Sequence, residues 1–66
     1  MQITINGEPQ SFGFNLTIEQ LMAQLQVDTR LAAVERNRAI VPKSRYAEVK
    51  LEEGDALEIV SFMGGG

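Results

Sequence analysis

The residues of this sequence that suggest chemistry most directly are the last three, Gly64, Gly65 and Gly66. Glycine has no side chain and loses more conformational freedom on folding than any other residue, so such a run contributes nothing to a core. A carboxylate on Gly66 would be an unhindered acyl group, able to pass through a narrow channel into another protein's active site. We expect residues 63–66 to form a flexible tail whose carboxylate reacts. The alternative is a terminal segment without a role, since chain ends are commonly disordered.

Side chains suited to catalysis are scarce in the rest of the sequence. It contains no cysteine and no histidine. It therefore has no thiol for covalent catalysis or zinc binding, and no side chain with an unperturbed pKa near neutrality. We expect a protein that partner enzymes act upon rather than an enzyme, with no bound cofactor or metal.

Length and charge further narrow the class of protein to which this sequence could belong. Sixty-six residues make one small domain, and the net charge of −3 lacks the basic excess typical of nucleic-acid binding. No apolar run approaches the ~20 residues of a membrane span. The sequence opens on a strand pattern without a visible signal peptide, so we expect a cytoplasmic protein.

The first half of the sequence predicts a hairpin followed by a helix. Apolar and polar residues alternate from residue 2 to 6, and Asn6-Gly7 is a strong signal for a type I′ turn. Because Pro9 lacks a backbone donor, we expect the return strand to be delayed to residues 10–14, with both of its phenylalanines on one face. Thr17 and Gln20 have the spacing of a capping box, which predicts a helix from there to about residue 26 or 27.

The second half predicts short strands and one long final strand. We expect strands over residues 32–35 and 40–41, then a single helical turn that packs Tyr46 inward, and a tight turn at Gly54. In the final strand, period-two alternation directs Leu57 and Ile59 to one face. Glu58, Val60 and Phe62 then share the opposite face.

This order of elements predicts an α+β fold: a mixed sheet of four to five strands packed on one main helix. The first and last strands are expected to lie side by side. Residues 1–62 would form the domain and residues 63–66 the flexible glycine tail.

Several segments of the sequence form a recognisable combination: Val34-Glu35-Arg36-Asn37, Ile40-Val41-Pro42, Ser44-Arg45-Tyr46, the Gly54-Asp55 turn, Leu57-Glu58-Ile59-Val60 and the terminal glycines. This combination resembles the ubiquitin-like β-grasp superfamily, and within it the ThiS family of thiamine-biosynthesis sulfur carriers. The resemblance covers essentially the whole sequence.

The resemblance implies a specific chemistry at Gly66. A ThiF-like adenylyltransferase would use ATP to convert the Gly66 carboxylate to an acyl-adenylate, with Gly64 and Gly65 giving access to its active site. Sulfur from a cysteine desulfurase system would displace AMP and leave a thiocarboxylate, which would donate sulfur to a ThiG-like thiazole synthase.

Partner binding is expected around the end of the final strand, at Val60, Phe62 and Met63. Acidic residues nearby are candidates for steering the chain toward basic partners, or belong to a solvated turn. These residues are Glu52, Glu53, Asp55 and Glu58.

Three alternatives stay open from the sequence. The small subunit of molybdopterin synthase uses the same tail chemistry but is typically longer. A ubiquitin-like protein modifier would form an isopeptide bond through Gly66. A plain interaction module of the same fold would not use its tail at all.

Overall fold

A computed structural model describes residues 1–62 of the chain. It contains one helix, α1 (Ile18–Gln24), and five strands. The strands are β1 (Gln2–Ile5), β2 (Glu8–Ser11), β3 (Ala32–Arg36), β4 (Ala39–Val41) and β5 (Ala56–Ser61). Two single-turn 3₁₀ helices lie at Thr29–Leu31 and Lys43–Arg45.

The strands form one mixed sheet in the order β2-β1-β5-β3-β4. The central β5 is parallel to β1 and antiparallel to β3, and both sequence-adjacent hairpins are antiparallel. The prediction that the first and last strands lie side by side is therefore confirmed.

The helix lies across one face of the sheet and closes a single core. Its Ile18, Leu21 and Met22 are fully buried. The remaining core residues come from the strands and connecting segments: Ile3, Ile5, Leu16, Ala32, Val34, Tyr46, Leu51 and Leu57. The inward packing of Tyr46 was predicted and is confirmed.

Helix α1 begins as predicted and ends earlier. The Thr17 hydroxyl accepts from the Gln20 N–H at 3.1 Å, and the Gln20 side chain accepts from the Thr17 N–H at 2.9 Å. The helix stops at Gln24 because Gln26 takes a left-handed φ of 59°. The N–H of Val27 then donates to the Met22 carbonyl, which completes a Schellman-type end.

The return strand of the first hairpin was predicted wrongly. It starts at Glu8 directly after the Asn6-Gly7 turn, and Pro9 lies within it, opposite Thr4. The Thr4 N–H donates to Asp55 rather than to β2, so this pair forms no hydrogen bond across the hairpin. The missing donor of Pro9 consequently costs nothing on this edge strand. Phe14 lies beyond the strand and is exposed.

Candidate functional site

Strand β5 presents two different faces, as the alternation predicted. Leu57 is 1% exposed and Ile59 is half-buried beneath the helix. On the opposite face Val60 is 56% exposed and Phe62, just past the strand, is 66% exposed. Two of the predicted partner-binding residues thus lie on the surface.

The end of β5 is fixed to the sheet up to the last described residue. The Phe62 N–H donates to the Leu31 carbonyl at 2.7 Å, which extends the pairing with β3 past Ser61. Met63, Gly64, Gly65 and Gly66 follow in the sequence and lie outside the described residues. The expectations for the tail, including its flexibility and the binding role of Met63, therefore stay predictions.

Two asparagines position β5 from either side. Asn6 and Asn37 each open a tight turn with a left-handed φ, 52° and 51° respectively. The Asn6 side chain accepts from the Ile59 N–H at 2.8 Å and donates to the Ile59 carbonyl at 3.1 Å. The Asn37 side chain accepts from the Ala56 N–H at 2.9 Å. The Asn6 turn was predictable from the sequence, but this role was not, because it depends on strands far apart in the chain.

Asp55, just before β5, was predicted as a surface charge, and that interpretation is wrong. It is 5% exposed and accepts hydrogen bonds from Arg36 Nε at 2.8 Å, Asn37 Nδ2 at 3.1 Å and the Glu52 N–H at 2.8 Å. Burial raises the pKa of the Asp55 carboxyl, but these hydrogen bonds and the Arg36 charge outweigh it and hold the pKa below its ordinary value. Asp55 therefore stabilises the fold.

The other acidic residues that were predicted to steer the chain toward partners also differ in their surroundings. The Glu53 carboxylate accepts from the Gln2 N–H, and Glu52 Oε1 lies 3.5 Å from Arg36 Nη2. Both residues therefore take part in the contacts of the turn before β5. Glu58 lies instead on the face of β5 that the helix does not cover. It pairs directly with Glu35 of β3, and Glu35 pairs on its other side with Ile40 of β4.

We name this the open face: the uncovered side of β3, β4 and β5, formed by Ala33, Glu35, Ile40, Glu58 and Val60. Val60 pairs with Ala33, and Ile40 is 67% exposed. The position of Glu35 on this surface was not predicted, because only the register of β3 against β5 sets it opposite Glu58.

The exposed Phe14 belongs to a different region. The loop that carries it starts beside the first residue of β1, where the Phe12 N–H donates to the Met1 carbonyl. Phe62 follows the last residue of β5, which is parallel to β1. The two aromatic side chains therefore lie at opposite ends of the sheet.

Within residues 1–62, no group of three or more acidic, histidine or cysteine residues could hold a metal ion. No helix formed by these residues is long and apolar enough to cross a membrane.

A five-stranded mixed sheet that holds one helix against one face is the ubiquitin-like β-grasp fold. The crystal structure of the thiamine biosynthesis protein ThiS from Geobacter metallireducens matches over all of both chains, with a TM-score of 0.86 at 30% identity. The ThiS family model matches residues 3–66. The chain therefore belongs to the ThiS family, as the sequence segments predicted.

Two curated relatives extend the comparison. The chain is 48% identical over 50 residues to the sulfur carrier protein ThiS of Bacillus subtilis, covering 76% of each chain. Over its full length it is 54% identical to a thiazole synthase of Paramagnetospirillum magneticum, but it spans only 20% of that protein. A ThiS-like region and the remainder of a thiazole synthase thus occur in one polypeptide in that relative.

Proposed function

We propose that this chain is a sulfur carrier for the formation of the thiazole ring of thiamine. A partner adenylyltransferase transfers AMP from ATP to the Gly66 carboxylate and releases pyrophosphate. A desulfurase takes sulfur from cysteine as a persulfide, whose terminal sulfur attacks the acyl carbon while AMP leaves. A thiol, such as that of free cysteine, then reduces the S–S bond of this acyl disulfide and releases the thiocarboxylate. The resulting thiocarboxylate donates its sulfur to a thiazole synthase.

Membership of the ThiS family is the observation that carries this proposal. The names of the relatives point the same way, since one is a sulfur carrier protein and another is a thiazole synthase with a region similar to this chain. The thiazole synthases that resemble the chain are about five times as long as it is, so their activity is proposed only for the partner.

The chemistry of the chain's residues is consistent with a carrier. A carboxylate is a poor electrophile until one oxygen becomes part of a good leaving group, so adenylation must precede sulfur transfer. The sequence contains no cysteine to bring sulfur and no histidine to act as a base, so both come from partners in this scheme. The chain binds no cofactor itself, and ATP is bound by the adenylyltransferase.

The position of Phe62 on the domain would allow residues 63–66 to reach into a partner's active site. Phe62 is tied to Leu31 on the surface of the domain, four residues before Gly66. Four extended residues reach at most roughly 13–14 Å. The domain can therefore dock outside an active site while Gly66 enters it. We place these reactions in the cytoplasm, where ATP is available.

The test is the intact mass of the chain after incubation with the adenylyltransferase, ATP, the desulfurase and cysteine. We expect a gain equal to the difference between one sulfur and one oxygen atom. The variant Gly65→Val should keep the fold and fail to react, because a β-branched residue adds bulk and stiffness to the tail. An unchanged mass with active partner enzymes would contradict the proposal.

The same incubation separates the alternatives. Covalent conjugates on a gel would indicate a protein modifier. Delivery of sulfur to the large subunit of molybdopterin synthase, and not to thiazole synthase, would indicate the other carrier. Full activity of a chain lacking Gly65 and Gly66 would indicate an interaction module.

A further inference from the structure

The basic residues of this chain are concentrated toward the β4 edge of the sheet. Residues 30–45, which include β3, β4 and the 3₁₀ helix after them, hold five of the six basic residues and one of the nine acidic ones. Five positive side chains and one negative side chain give this segment a net charge of +4, although the whole chain has a net charge of −3. An acidic partner would therefore be attracted to this edge and repelled by the rest of the surface.

A groove lies between the β3–β4 hairpin and the segment that follows it. We name it the edge groove. Five apolar residues and two arginines line it: Ala39, Ile40, Val41, Pro42, Val49, Arg36 and Arg45. Its volume is about 290 Å³, roughly ten times the volume that one water molecule occupies in the liquid. The groove therefore has room for an aliphatic side chain.

Strand β4 directs one main-chain donor and one main-chain acceptor toward solvent beside this groove. It is the last strand in the sheet order, so β3 alone pairs with it among the described strands. Arg36 and Ala39 flank a two-residue turn and form a hydrogen-bonded pair, and the pairs of an antiparallel ladder alternate. The N–H and the carbonyl of Ile40 therefore point away from β3. An extended peptide that adds a strand to a sheet edge uses such groups.

The turn before β4 carries an arginine in a backbone conformation that favours glycine. Asn37 and Arg38 have left-handed φ values of 51° and 72°. The turn of the first hairpin has the same pattern, with φ values of 52° and 84°, and its second residue is Gly7. A residue with a Cβ atom pays a steric cost in this region that glycine avoids. Arg38 also takes part in none of the ion pairs formed within residues 1–62, so no such pair offsets this cost.

We propose that the edge groove and β4 bind an extended acidic segment of a partner protein, which pairs with Ile40 as an added strand. An apolar side chain of that segment enters the groove, and carboxylates on either side of it bind Arg38 and Arg45. Arg38 directly precedes the lining residue Ala39, and Arg45 lines the groove itself. This docking surface involves neither the tail nor the carrier chemistry, so the inference is independent of the proposed function.

Arg45 retains donors for such a carboxylate. Its Nε lies 2.9 Å from Glu48 Oε2, and both side chains of this ion pair are exposed. An exposed ion pair contributes little stability, and a guanidinium has five N–H donors. A carboxylate of the partner can therefore bind Arg45 beside Glu48 or in its place.

A second copy of this chain does not suit the same edge. Pairing of β4 with β4 of another copy would bring together two segments that each carry a net charge of +4. Like charges placed close together across an interface oppose association. The charge of this edge therefore selects an acidic strand.

The test is an NMR titration of the full chain, labelled with ¹⁵N, with a peptide blocked at both ends. The peptide has the sequence Thr-Glu-Thr-Val-Thr-Glu-Thr, which puts both glutamates and the valine on one face of an extended strand. One control peptide has lysine in place of both glutamates. A second control carries N-methyl groups on the two threonines that flank the valine, which removes the donors for pairing with Ile40.

The native chain should bind the acidic peptide with a Kd of about 1 mM or below, as measured from the amide resonances of β4 and its flanking residues. Both control peptides should bind more weakly. Arg38→Gly should raise the Kd about threefold to fivefold, whereas Arg38→Lys keeps the charge and should retain most of the affinity.

Lys50→Gln is the matched control variant. Lys50 is exposed and lies outside the edge groove, and its substitution changes the net charge from −3 to −4, as Arg38→Gly does. We expect it to change the Kd little. Arg38→Gly should melt at the same temperature as the native chain or higher, because glycine relieves the left-handed strain. A loss of binding without a loss of stability would identify the arginine as a binding residue.

Several results would overturn the proposal. These are the absence of shifts around β4 at several millimolar peptide, equal binding of either control peptide, or equal effects of Arg38→Gly and Lys50→Gln. A lower melting temperature for Arg38→Gly would show that this side chain serves the fold. Inorganic phosphate that reproduces the shifts would indicate an anion site, and the same shifts on concentrating the chain alone would indicate a second copy.

Discussion

The two faces of β5 differ in what their side chains do. The covered face carries Leu57 and Ile59, which pack beneath helix α1 as part of one core. The open face carries Glu58 and Val60, which no element among residues 1–62 covers. One strand therefore supplies stability on one side and an exposed surface, proposed here for recognition, on the other, and substitutions on the two faces should have separable effects.

The largest expected effect is on the covered face. Leu57→Asp would bury an unpaired charge in the core, a change that costs more than about 4 kcal/mol. A domain of this size has a total stability of only about 3–10 kcal/mol, so we expect the chain to unfold. Circular dichroism would show the loss of secondary structure. A native spectrum for this variant would reverse the assignment of the two faces.

Removal of the Asp55 carboxylate, which lies just before β5, should give the next largest effect. Asp55→Ala removes three hydrogen bonds to a buried carboxylate and leaves Arg36 without its closest partner. We expect a loss of about 2–3 kcal/mol at pH 7, measured by chemical denaturation.

The loss caused by Asp55→Ala should also depend on pH. Because the folded-state pKa of Asp55 lies below its unfolded value, its contribution is fully present above about pH 4 and is lost as the pH falls through the folded pKa. The stability difference between native and variant chains should therefore shrink in acid. A constant difference from pH 7 down to pH 2 would contradict the hydrogen-bonded carboxylate.

Substitution near the open face should change binding and spare the fold. Phe62→Asp places a charge that stays in water in the free protein and would be buried in the complex that we propose with the adenylyltransferase. We expect the affinity for the adenylyltransferase to fall by more than ~1 kcal/mol and the free energy of unfolding to change by less than about 0.5 kcal/mol.

Phe14→Asp is the matched control, since Phe14 is also largely exposed but lies at the other end of the sheet. Similar losses of affinity for both variants would show that general charge repulsion, and not docking at the end of β5, explains the result.

The smallest expected effect concerns the asparagine that joins the turn after β1 to β5. Asn6→Gly retains the left-handed backbone and removes only the two side-chain hydrogen bonds to Ile59. Both bonds are exposed, so we expect a loss of about 1 kcal/mol in thermal or chemical unfolding. An unchanged stability would mean that water replaces these bonds at no cost.

Features set by local sequence were predictable. The Thr17 capping box, the Asn6-Gly7 turn and the alternation along β5 depend on neighbouring residues, and all three are confirmed. The return strand was misplaced because the effect of Pro9 depends on whether its missing N–H faces a neighbouring strand, which only the pairing decides.

The side-chain contacts that join distant segments were not predictable. Asp55 is 18 and 19 residues from its side-chain partners Asn37 and Arg36, and its sequence context is that of an exposed turn. Glu35 and Glu58 meet only through the register of two strands whose order in the sheet is set by the whole fold.

The most direct test of the carrier hypothesis is to locate the transferred sulfur. The chain is incubated with adenylyltransferase, ATP, desulfurase and cysteine, and the intact product is fragmented in the mass spectrometer. We predict that the added mass lies on Gly66 alone and disappears when thiazole synthase and its substrates are added. Sulfur on any other residue, or thiazole formation from a chain that never carries sulfur, would contradict the hypothesis.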